Sequence, residues 1–558
     1  DQVSEMELHK LEAAAAAILD SNKGSLGDQL HGHDDPIHVL PRLLQTRAPL
    51  EQTTASLRLD GLQYENEYGG FSPDGREYIV YVEDGKRPPA PWCNVLANPD
   101  FGCLVTESGG GYSWFLNSGE FRLTPWSNDP VTDQPGEALY LRDEQSAVSW
   151  SPLPLPGRDG HYRVHHGAGY TRYIHDSHML EQETRIFVPP GDSVKIVQLR
   201  IRNYSDFHRR MTATYYAEWV LGSQRSVTQS RIMTQHDIRL KAILADCAWN
   251  PDFAACMAFL ASSHATHGFT CDRMEFLGRY GNTDHPVALQ HVGLSGRSGP
   301  GIDPCAALQI HLELEAGEEI TCHFVLGAAA DRKTAKKLCR KYLNTDTVDD
   351  AWLKVQAYWD DLLGKITVST PEPAMDLLLN RWLLYQALSA RIFARTGFYQ
   401  SSGAFGFRDQ LQDVMALLQV KPDLAREQIL ESARRQFEAG DVLHWWHPPS
   451  GKGVRSRCSD DLLWLPYVTG EYVAVTGDTQ ILDETVSFLS APPLTPEEHD
   501  RYGEFEAGDE SASLLEHCRR ALQKGLTSGP NGLPLIGDGD WNDAMNQVGA
   551  GGRGESVW

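Results

Sequence analysis

A change of hydrophobic pattern part-way along the chain is the feature that most constrains its fold. Between residues 61 and 330, short runs rich in Val, Ile, Tyr and Thr are separated by turn signals. Tyr78–Val82 and Val194–Ile201 are two such runs, and Pro73-Asp74-Gly75 and Asp84-Gly85 are two such turns. Because many short strands at this spacing are typical of antiparallel sandwiches, we predict a large two-sheet β-sandwich domain over 61–330.

Helical patterns flank the predicted sandwich on both sides. Residues 1–60 are polar, with Leu and Ala at helical spacing, and we predict a helical N-terminal tether there. Helical character returns over 331–369, where we predict a helical linker. From 370 to 558 we predict helices throughout, because apolar residues such as Leu378 and Trp382 recur at helical spacing. Such helices are typical of a paired bundle or toroid whose loops carry the unusual residues.

Size and charge exclude several classes of protein. The 558 residues exceed what a single hydrophobic core normally holds. The formal net charge is -25 and no basic stripe is visible, which argues against nucleic acid as a partner. Any phosphate site must therefore be built locally, from basic side chains or from backbone N–H groups.

Cysteine usage and the absence of long apolar runs indicate the compartment. The ten cysteines are scattered and form no CxxC pair, so we expect no metal site and reduced thiols in a cytoplasmic protein. No apolar run reaches the ~20 residues that cross a bilayer, and no signal sequence is visible. Because the chain starts at Asp1 rather than Met and stops at Trp558 within apolar sequence, we expect a fragment of a longer polypeptide.

The first of three chemically distinctive loop clusters is Tyr399–Gln410. Its glycines and small residues leave room for a ligand, and the adjacent pair Arg408 and Asp409 follows them. The alternative is an ordinary helix N-terminus, where Asp409 would interact favourably with the helix dipole. The pattern alone leaves both interpretations open.

The second cluster begins with His444-Trp445-Trp446-His447 and continues to Asp461. Exposed tryptophans with carboxylates suit a sugar site, because aromatic faces stack on pyranose rings and carboxylates accept hydroxyl protons. One alternative is that the tryptophans belong to the core and the histidines are structural. A metal pair formed by His444 and His447 is another alternative.

The third cluster is Gly537–Asn546. The first three ligand positions of an EF-hand calcium loop are matched by Asp538, Asp540 and Asn542. The rest of that pattern fails, since Asp543 replaces the glycine and Gly549 stands where the bidentate Glu belongs. A remaining alternative is helix capping by Asp543.

Five motifs, taken together, resemble the inverting glycoside phosphorylases, a family that includes cellobiose, chitobiose and 1,2-β-oligoglucan phosphorylases. In chain order they are Gly111–Trp114 with Thr124–Asp129, Gly406–Asp413, Ser459–Pro466, Gly539–Asp543 and Gly554–Trp558. Each motif alone is modest, but five in the same order are specific. The motif residues are most similar to the phosphorylase region of bacterial cyclic β-1,2-glucan synthases.

The resemblance implies a fold and a set of site residues. The fold is an N-terminal antiparallel β-sandwich, a helical linker and an (α/α)6 toroid barrel, with 370–558 as the N-terminal part of a barrel truncated at its C-terminus. The implied catalytic acid is Asp543. The implied substrate-binding residues are Arg408, Asp409, Trp541, Asp540, Asp461 and Trp114. The loop Tyr112–Asp129 resembles one that reaches the active site, in some members from a partner subunit. The family's phosphate-binding residues lie beyond residue 558, which leaves Arg553 as a candidate here.

The implied activity is reversible, inverting phosphorolysis of β-glucosidic bonds. Asp543 would protonate the glycosidic oxygen, while phosphate, an anionic co-substrate, attacks C1 from the opposite face and gives α-glucose 1-phosphate without a further cofactor. We expect burial or nearby Asp540 to raise the pKa of Asp543. The run Ser402-Gly403-Ala404 lacks the arginine of cellobiose and chitobiose phosphorylases, which favours β-1,2-glucan as the substrate.

Two alternatives remain open. An inverting hydrolase on the same barrel needs a second carboxylate as base, for which Glu555 is the nearest candidate. A non-catalytic module of a larger cyclic glucan synthase would bind glucan without turnover. The expected partners are β-glucan or oligosaccharide and phosphate, with the chain acting as a homodimer or as part of a larger membrane-bound synthase.

Overall fold

A computed structural model of the chain describes residues 5–557 except 16–17, 23, 32–39, 51–55, 84–85, 158–159, 544 and 550–551. The predicted turn Asp84-Gly85, Trp558 of the fifth motif and part of the tether predicted over 1–60 lie outside the described residues. The chain divides into two compact units. The sandwich unit is Asp1–Trp359 with Thr396–Ser401, and the helical unit is Asp360–Arg395 with Ser402–Trp558.

Antiparallel strands build the sandwich unit. Its described strands are β1 (Gln63–Asn66), β2 (Gly69–Phe71), β3 (Glu77–Val82), β4 (Cys93–Ala97), β5 (Phe101–Thr106), β6 (Gly111–Phe115), β7 (Glu137–Asp143), β8 (Ser149–Trp150), β9 (Tyr162–Gly167), β10 (Tyr170–Ser177), β11 (Leu180–Phe187), β12 (Val194–Asn203), β13 (Arg209–Glu218), β14 (Met233–Asp237), β15 (Ala242–Asp246), β16 (Met257–Ser262), β17 (Thr266–Asp272), β18 (Pro304–Leu314) and β19 (Glu319–Ala329). They form an eleven-stranded sheet, β1-β2-β3-β9-β10-β11-β12-β19-β16-β15-β14, a five-stranded sheet, β17-β18-β13-β7-β8, and a three-stranded sheet, β4-β5-β6.

The sandwich core lies between these sheets. Leu199 and Phe324 of the eleven-stranded sheet belong to the same buried cluster as Leu308 of the five-stranded sheet. Towards the end of β18 the pattern alternates, so that His311 and Glu313 face solvent between buried leucines. Such alternation is what a sheet with one buried face requires. The predicted antiparallel sandwich is confirmed.

Helices precede, interrupt and follow the strands of the sandwich region. Those among the described residues are α1 (Glu5–Ala14), α2 (Leu26–His31), α3 (Arg225–Thr228), α4 (Arg273–Leu277), α5 (Arg332–Lys341) and α6 (Thr345–Leu363). Asp331 caps α5 by accepting a hydrogen bond from Thr334 N at 2.9 Å. Trp352 of α6 packs edge-on against Tyr170 and Phe187 of the large sheet. The segment predicted as a linker therefore carries an apolar side chain that packs on the sandwich.

The helical unit contains strands as well as helices, so the prediction of helices throughout 370–558 is wrong. Its described helices are α7 (Pro373–Leu377), α8 (Leu383–Gln386), α9 (Phe407–Val414), α10 (Pro422–Ala433), α11 (Asp461–Thr476), α12 (Leu514–Gly525) and α13 (Asn546–Gly549). A π-helical segment at 378–382 joins α7 to α8, and a second at 387–394 continues the same helix beyond α8. Helix α11 contacts α9, α10 and α12. The toroid stays a prediction.

Two small sheets make up the unexpected part of the helical unit. One contains β20 (Phe405–Gly406), β21 (Leu443–His447), β22 (Lys452–Arg455) and β24 (Arg501–Gly503), and the other contains β23 (Thr485–Ser490) and β25 (Glu506–Ser513). Trp445 and Trp446 favour the extended conformation of β21. Strand β25 is polar and pairs with β23, whose Phe488 is fully buried. No helix in the described part of the chain is both long enough and apolar enough to cross a bilayer.

Candidate active site

Arg408 is the centre of a charged cluster in the helical unit. It lies buried in the first turn of α9, and its guanidinium reaches two other segments of the chain. Nη1 donates to Asp460 Oδ2 and to the backbone oxygen of Asp540, each at 3.0 Å, and Nη2 donates to Asp543 Oδ1 at 2.8 Å. Burial lowers the pKa of Arg408, but Asp543 and Asp460 more than offset this effect. The pKa is therefore raised and the side chain stays charged.

The loop 537–543 is held against the residues before α11 by close backbone contacts. Gly537 has a φ of +63°, and a Cβ atom there would lie 2.1 Å from the backbone oxygen of Arg457. Only glycine fits such a conformation and such an approach. Ser459 N then donates to the backbone oxygen of Gly539 at 2.9 Å. These contacts bring Asp543 beside Arg408, although the two residues are far apart in the sequence.

Asp543 itself is more exposed than we expected. Its side chain is 56% exposed, so burial, one of the two alternatives that we gave for tuning this group, is not observed. The physical reason is its position at the end of the loop, where one carboxylate oxygen meets Arg408 and the rest of the group faces outwards. Because Oδ1 of Asp543 accepts the hydrogen bond from Arg408, this oxygen can meet a glycosidic oxygen only after Asp543 leaves Arg408.

Asp540 is held by hydrogen bonds to its own loop and to Ser556, and its predicted contact with substrate stays a prediction. Its carboxylate oxygens accept hydrogen bonds from Asn542 N at 2.9 Å and from Ser556 Oγ at 2.5 Å. Burial raises the pKa of Asp540, but these two hydrogen bonds lower it below its ordinary value. Because Asp540 is also only 6% exposed, it stabilises the loop and orients its neighbours.

His444 approaches Asp543 from β21. Its Nδ1 lies 2.8 Å from Oδ2 of Asp461, and its Nε2 lies 3.7 Å from Oδ1 of Asp543. Burial lowers the pKa of His444, but hydrogen bonds to Asp461 and Cys458 outweigh burial, so the pKa lies above its ordinary value. Asp461, which we predicted to bind substrate, is 1% exposed and holds His444 in place. In this conformation its effect on a substrate passes through His444.

Asp409 and Trp541 occupy different positions around this cluster. Asp409 folds back over Gly406, where a Cβ atom would lie 2.0 Å from Asp409 Oδ2, and accepts a hydrogen bond from Arg395 at 3.2 Å. The carboxylate of Asp409 is therefore paired with Arg395 and is not part of the charged cluster around Arg408. Trp541 stands next to that cluster with 49% of its surface exposed. An exposed indole can stack on a sugar ring, so its predicted role stays a prediction.

Arg553 and Glu555 follow in the last described segment. Arg553 is exposed, which leaves its predicted phosphate contact untested. Glu555 accepts hydrogen bonds from the backbone N and the side-chain Nδ2 of Asn531, at 2.8 and 2.6 Å. Those bonds lower the pKa of Glu555. Glu555 therefore stabilises a neighbouring loop, a position that does not suit the base of a hydrolase.

Trp114, on β6 of the sandwich unit, is buried. It is 2% exposed and packs over Gly102 of β5, where a Cβ atom would lie 2.3 Å from its ring. Four of the five residues of β6 are buried, so both faces of this strand lie in the core. Trp114 therefore packs in the core of this unit, and its predicted contact with a substrate stays a prediction.

The loop Tyr112–Asp129 binds the segment Thr396–Ser401 of the same unit. The Tyr112 hydroxyl lies 2.6 Å from Thr396 Oγ1 and 2.8 Å from Ser401 Oγ. Trp126 Nε1 donates to the backbone oxygen of Phe398 at 2.9 Å. This loop therefore has a structural partner, and its predicted reach to the active site stays a prediction.

Sequence reasoning missed Cys458, and one of the alternatives that it left open for the two histidines of β21 does not hold. His444 and His447 are three residues apart on a strand, so their side chains point to opposite faces. His447 Nε2 accordingly lies 3.2 Å from the backbone oxygen of Ser402, and the His444–His447 metal pair is wrong. Cys458 lies beside His444 because β21 and the residues before α11 meet in the fold. No spacing rule links these positions, so the sequence held no signal for them.

Family models match both regions of the chain. Residues 76–345 match the supersandwich domain of glycosyl hydrolase 94, and residues 358–558 match the catalytic domain of the glycosyl hydrolase 94 superfamily. The chain belongs to the glycosyl hydrolase 94 superfamily. The resemblance stated from the five motifs is therefore confirmed, and this glycosyl hydrolase 94 chain has its supersandwich domain before its catalytic domain.

Curated relatives of the chain include a synthase and several phosphorylases. The cyclic beta-(1,2)-glucan synthase NdvB of Rhizobium meliloti (strain 1021) is 40% identical over 562 residues, which is 98% of this chain and 20% of the relative. The N,N'-diacetylchitobiose phosphorylase of Vibrio proteolyticus is 28% identical over 86% of this chain and 62% of the relative. The 1,2-beta-oligoglucan phosphorylase of Listeria innocua is 25% identical over 35% of this chain and 18% of the relative. The chain thus spans a fifth of the synthase and about three fifths of the chitobiose phosphorylase.

Proposed function

We propose that this chain forms the acid-donating part of a glycoside phosphorylase that cleaves β-1,2-glucan with phosphate and releases α-glucose 1-phosphate. The single observation that carries the proposal is the contact between Arg408 and Asp543, which joins two motifs of the family at one point of the helical unit. Around them lie the exposed ring of Trp541 and the pair formed by half-buried His444 and buried Asp461. An arginine, a carboxylate and an exposed indole are suitable groups for binding a sugar and protonating its leaving oxygen.

The proposed reaction needs one proton donor. Protonated Asp543 gives its proton to the glycosidic oxygen, the bond from C1 to that oxygen breaks, and a phosphate oxygen bonds to C1 from the opposite face, inverting its configuration. Phosphate is already an anionic nucleophile, so no second carboxylate is needed. Glu555, the candidate for such a base, is bound to Asn531, which favours phosphorolysis over hydrolysis.

The pair formed by Arg408 and Asp543 suits the two directions of the reaction. In synthesis, Asp543 takes a proton from the acceptor hydroxyl, and Arg408 Nη2 holds the carboxylate that receives it. In phosphorolysis, a sugar hydroxyl that accepts a hydrogen bond from Arg408 Nη2 would replace Asp543 and release its carboxylate for protonation. Microscopic reversibility requires both states in one enzyme.

Several finer features belong to the proposal. Support for β-1,2 linkages comes from the run Ser402-Gly403-Ala404 and from the β-1,2-glucans in the names of the NdvB and Listeria relatives. We propose that the helices of the catalytic domain belong to an (α/α)6 toroid, that exposed Arg553 contributes to phosphate binding, and that phosphate is the only co-substrate. In the whole protein the chain would act within a larger cyclic glucan synthase.

The test is phosphorolysis of β-1,2-glucan by the full-length protein, measured as glucose 1-phosphate. The Asp543→Asn variant should lose activity by roughly 100- to 10,000-fold, which is the usual contribution of a general acid. Glu555→Gln is the matched control and should keep most of the activity. Near-wild-type activity in Asp543→Asn would remove the assignment, and release of glucose without added phosphate would indicate a hydrolase instead.

A further inference from the structure

Three potential metal ligands converge beside the proposed catalytic acid. His444 lies on β21, Cys458 lies just before α11, and Asp543 ends the loop 537–543. One ligand atom of each residue lies within 4.8 Å of the others, and the distance from His444 Nε2 to Asp543 Oδ1 is 3.7 Å. Zinc bonds of about 2.0–2.3 Å in tetrahedral geometry separate ligand atoms by about 3.3–3.8 Å. A small side-chain movement of Cys458 or Asp543 would therefore place three ligand atoms at three of the four positions of a tetrahedral site.

A second observation, the hydrogen bond between His444 and Asp461, also favours a metal site. Asp461, which is 1% exposed, accepts a hydrogen bond from Nδ1 of His444 at 2.8 Å. A carboxylate on one ring nitrogen is the usual support of a metal-binding histidine, because it fixes the tautomer and turns the other nitrogen towards the metal. The remaining oxygen of Asp461, Oδ1, is buried and has no hydrogen-bond partner among the described residues.

The surrounding charges also favour a cation. Three carboxylates, those of Asp460, Asp461 and Asp543, lie around two basic side chains, those of Arg408 and His444. Arg408 keeps Asp460 as a partner if Asp543 turns to a metal. The positive charge of a divalent ion would thus enter a region in which negative groups are in excess.

We propose that His444, Cys458 and Asp543 bind a borderline-soft divalent cation, Zn²⁺ above all, and that the occupied site is an inhibited state of the enzyme. Imidazole and thiolate select Zn²⁺ over Mg²⁺ and Ca²⁺, which prefer oxygen ligands. Coordination occupies the carboxylate of Asp543, which then cannot carry the proton for the glycosidic oxygen. The inhibition rests on the proposed function, whereas the binding does not.

This site lies outside what the sequence predicted. The cysteines form no CxxC pair, and we expected no metal from their spacing. The three ligands come from a strand, a loop and the approach to a helix, and only the fold brings them together. The proposal therefore replaces the rejected His444–His447 pair with a site in which His444 has different partners.

Binding is tested on the full-length protein, freed of metal with a chelator and titrated with Co²⁺ and Zn²⁺. We expect one ion per chain and a near-ultraviolet thiolate-to-cobalt absorption band. Cys458→Ser should abolish the band and weaken Zn²⁺ binding at least tenfold, and Asp461→Asn should weaken it by about 10- to 100-fold. Cys93→Ser, at an exposed cysteine of the sandwich unit, is the control. It should leave the cobalt absorption band and the Zn²⁺ affinity unchanged. Wild-type Zn²⁺ affinity in Cys458→Ser overturns the site.

Inhibition is tested separately with glucose 1-phosphate release in the presence of Zn²⁺. Each variant is compared with its own metal-free activity, and Cys458→Ser should need at least tenfold more Zn²⁺ than the wild type for the same fractional inhibition. Unchanged inhibition in Cys458→Ser, or full wild-type activity at saturating Zn²⁺, overturns the inhibited state. If no phosphorolysis is seen in any variant, the proposed function fails, and the binding measurement still decides the metal site.

Discussion

Buried charges in the two units of this chain are arranged in different ways. In the sandwich unit, Glu137 is 9% exposed and both of its carboxylate oxygens are occupied. The groups on them are Ser113, Thr124, Lys195 and Tyr215. Asp143 is similar, since one oxygen accepts from Arg209 and the other from two backbone N–H groups. These networks are complete without any ligand.

The cluster around Arg408 in the helical unit is incomplete by comparison. Asp543 is more than half exposed, and Asp460 and Asp461 each have one buried oxygen with no hydrogen-bond partner among the described residues. Such unfilled hydrogen-bonding capacity costs stability. It is also what a sugar hydroxyl or a metal ion would use. In these clusters, the complete networks stabilise the sandwich unit, whereas the remaining oxygens around Arg408 are placed where a ligand could use them.

Removing the cation from a complete network should have the largest effect. Lys195→Met leaves Glu137 as a buried charge without its ion-pair partner, and we expect a loss of about 3–5 kcal/mol in the free energy of unfolding. Urea denaturation of the variant measures it. Adding Glu137→Gln in the same chain removes the uncompensated charge and should restore part of the loss. A change of less than about 1 kcal/mol in Lys195→Met would mean that the network does not stabilise the sandwich.

Changing the cation of the incomplete network should affect activity more than stability. Arg408→Lys keeps the positive charge but loses the planar fork that reaches Asp460, Asp540 and Asp543 together. We expect phosphorolysis to fall by about 10- to 100-fold in kcat/KM, because Asp543 and the sugar lose their common partner. Arg426→Lys, at a partly exposed ion pair with Asp478, is the matched control and should keep full activity. Equal losses in the two variants would contradict the special position of Arg408.

The sequence pattern predicted the strands of the sandwich well and the structure of the helical unit only in part. The run Val194–Ile201 lies within β12 because alternating β-branched residues suit a pleated sheet. Strand β25, by contrast, has the polar sequence of Glu506–Ser513 and exists through pairing with β23. That pairing is a long-range contact, and local periodicity carries no information about it.

In the candidate site, the sequence predicted only residues that lie within the family motifs. Arg408 and Asp543 came from motif resemblance, and the structure places them in contact. Trp114 came from the same reasoning and lies in the core, because a motif residue does not reveal which face of a strand is buried. The convergence of His444 and Cys458 on Asp543 depends on how three segments pack, which no single segment determines.

Acid should weaken the sandwich by a smaller amount through Glu183. This carboxylate is 3% exposed and meets Arg172, Arg185 and Arg200 at 2.9, 3.0 and 2.6 Å. Burial raises the pKa of Glu183, but the three arginines lower it to about 2. The stabilisation is therefore complete above pH ~4.5, the ordinary pKa, and is lost as the pH falls towards 2.

We expect this loss to be about 1–2 kcal/mol, since the arginines are partly exposed and solvent weakens the pairs. The measurement is the urea midpoint of the wild type and of Glu183→Gln between pH 6 and 3. The wild type should lose its advantage over the variant as the pH falls. A difference between the two proteins that does not depend on pH would show that Glu183 acts through packing rather than charge.

The smallest effect on stability should come from Trp541, the exposed counterpart of buried Trp114. Trp541→Ala removes a side chain that is 49% exposed, so we expect the free energy of unfolding to change by less than about 0.5 kcal/mol. The KM for β-1,2-glucan should nevertheless rise, because the indole face is lost from the sugar-binding cluster, while Trp541→Phe should keep part of the affinity. Trp114→Ala is the opposite case and should destabilise the sandwich by about 3–5 kcal/mol. If Trp541→Ala unfolds as easily as Trp114→Ala, the indole belongs to the core of the helical unit and the contrast between the two tryptophans is lost.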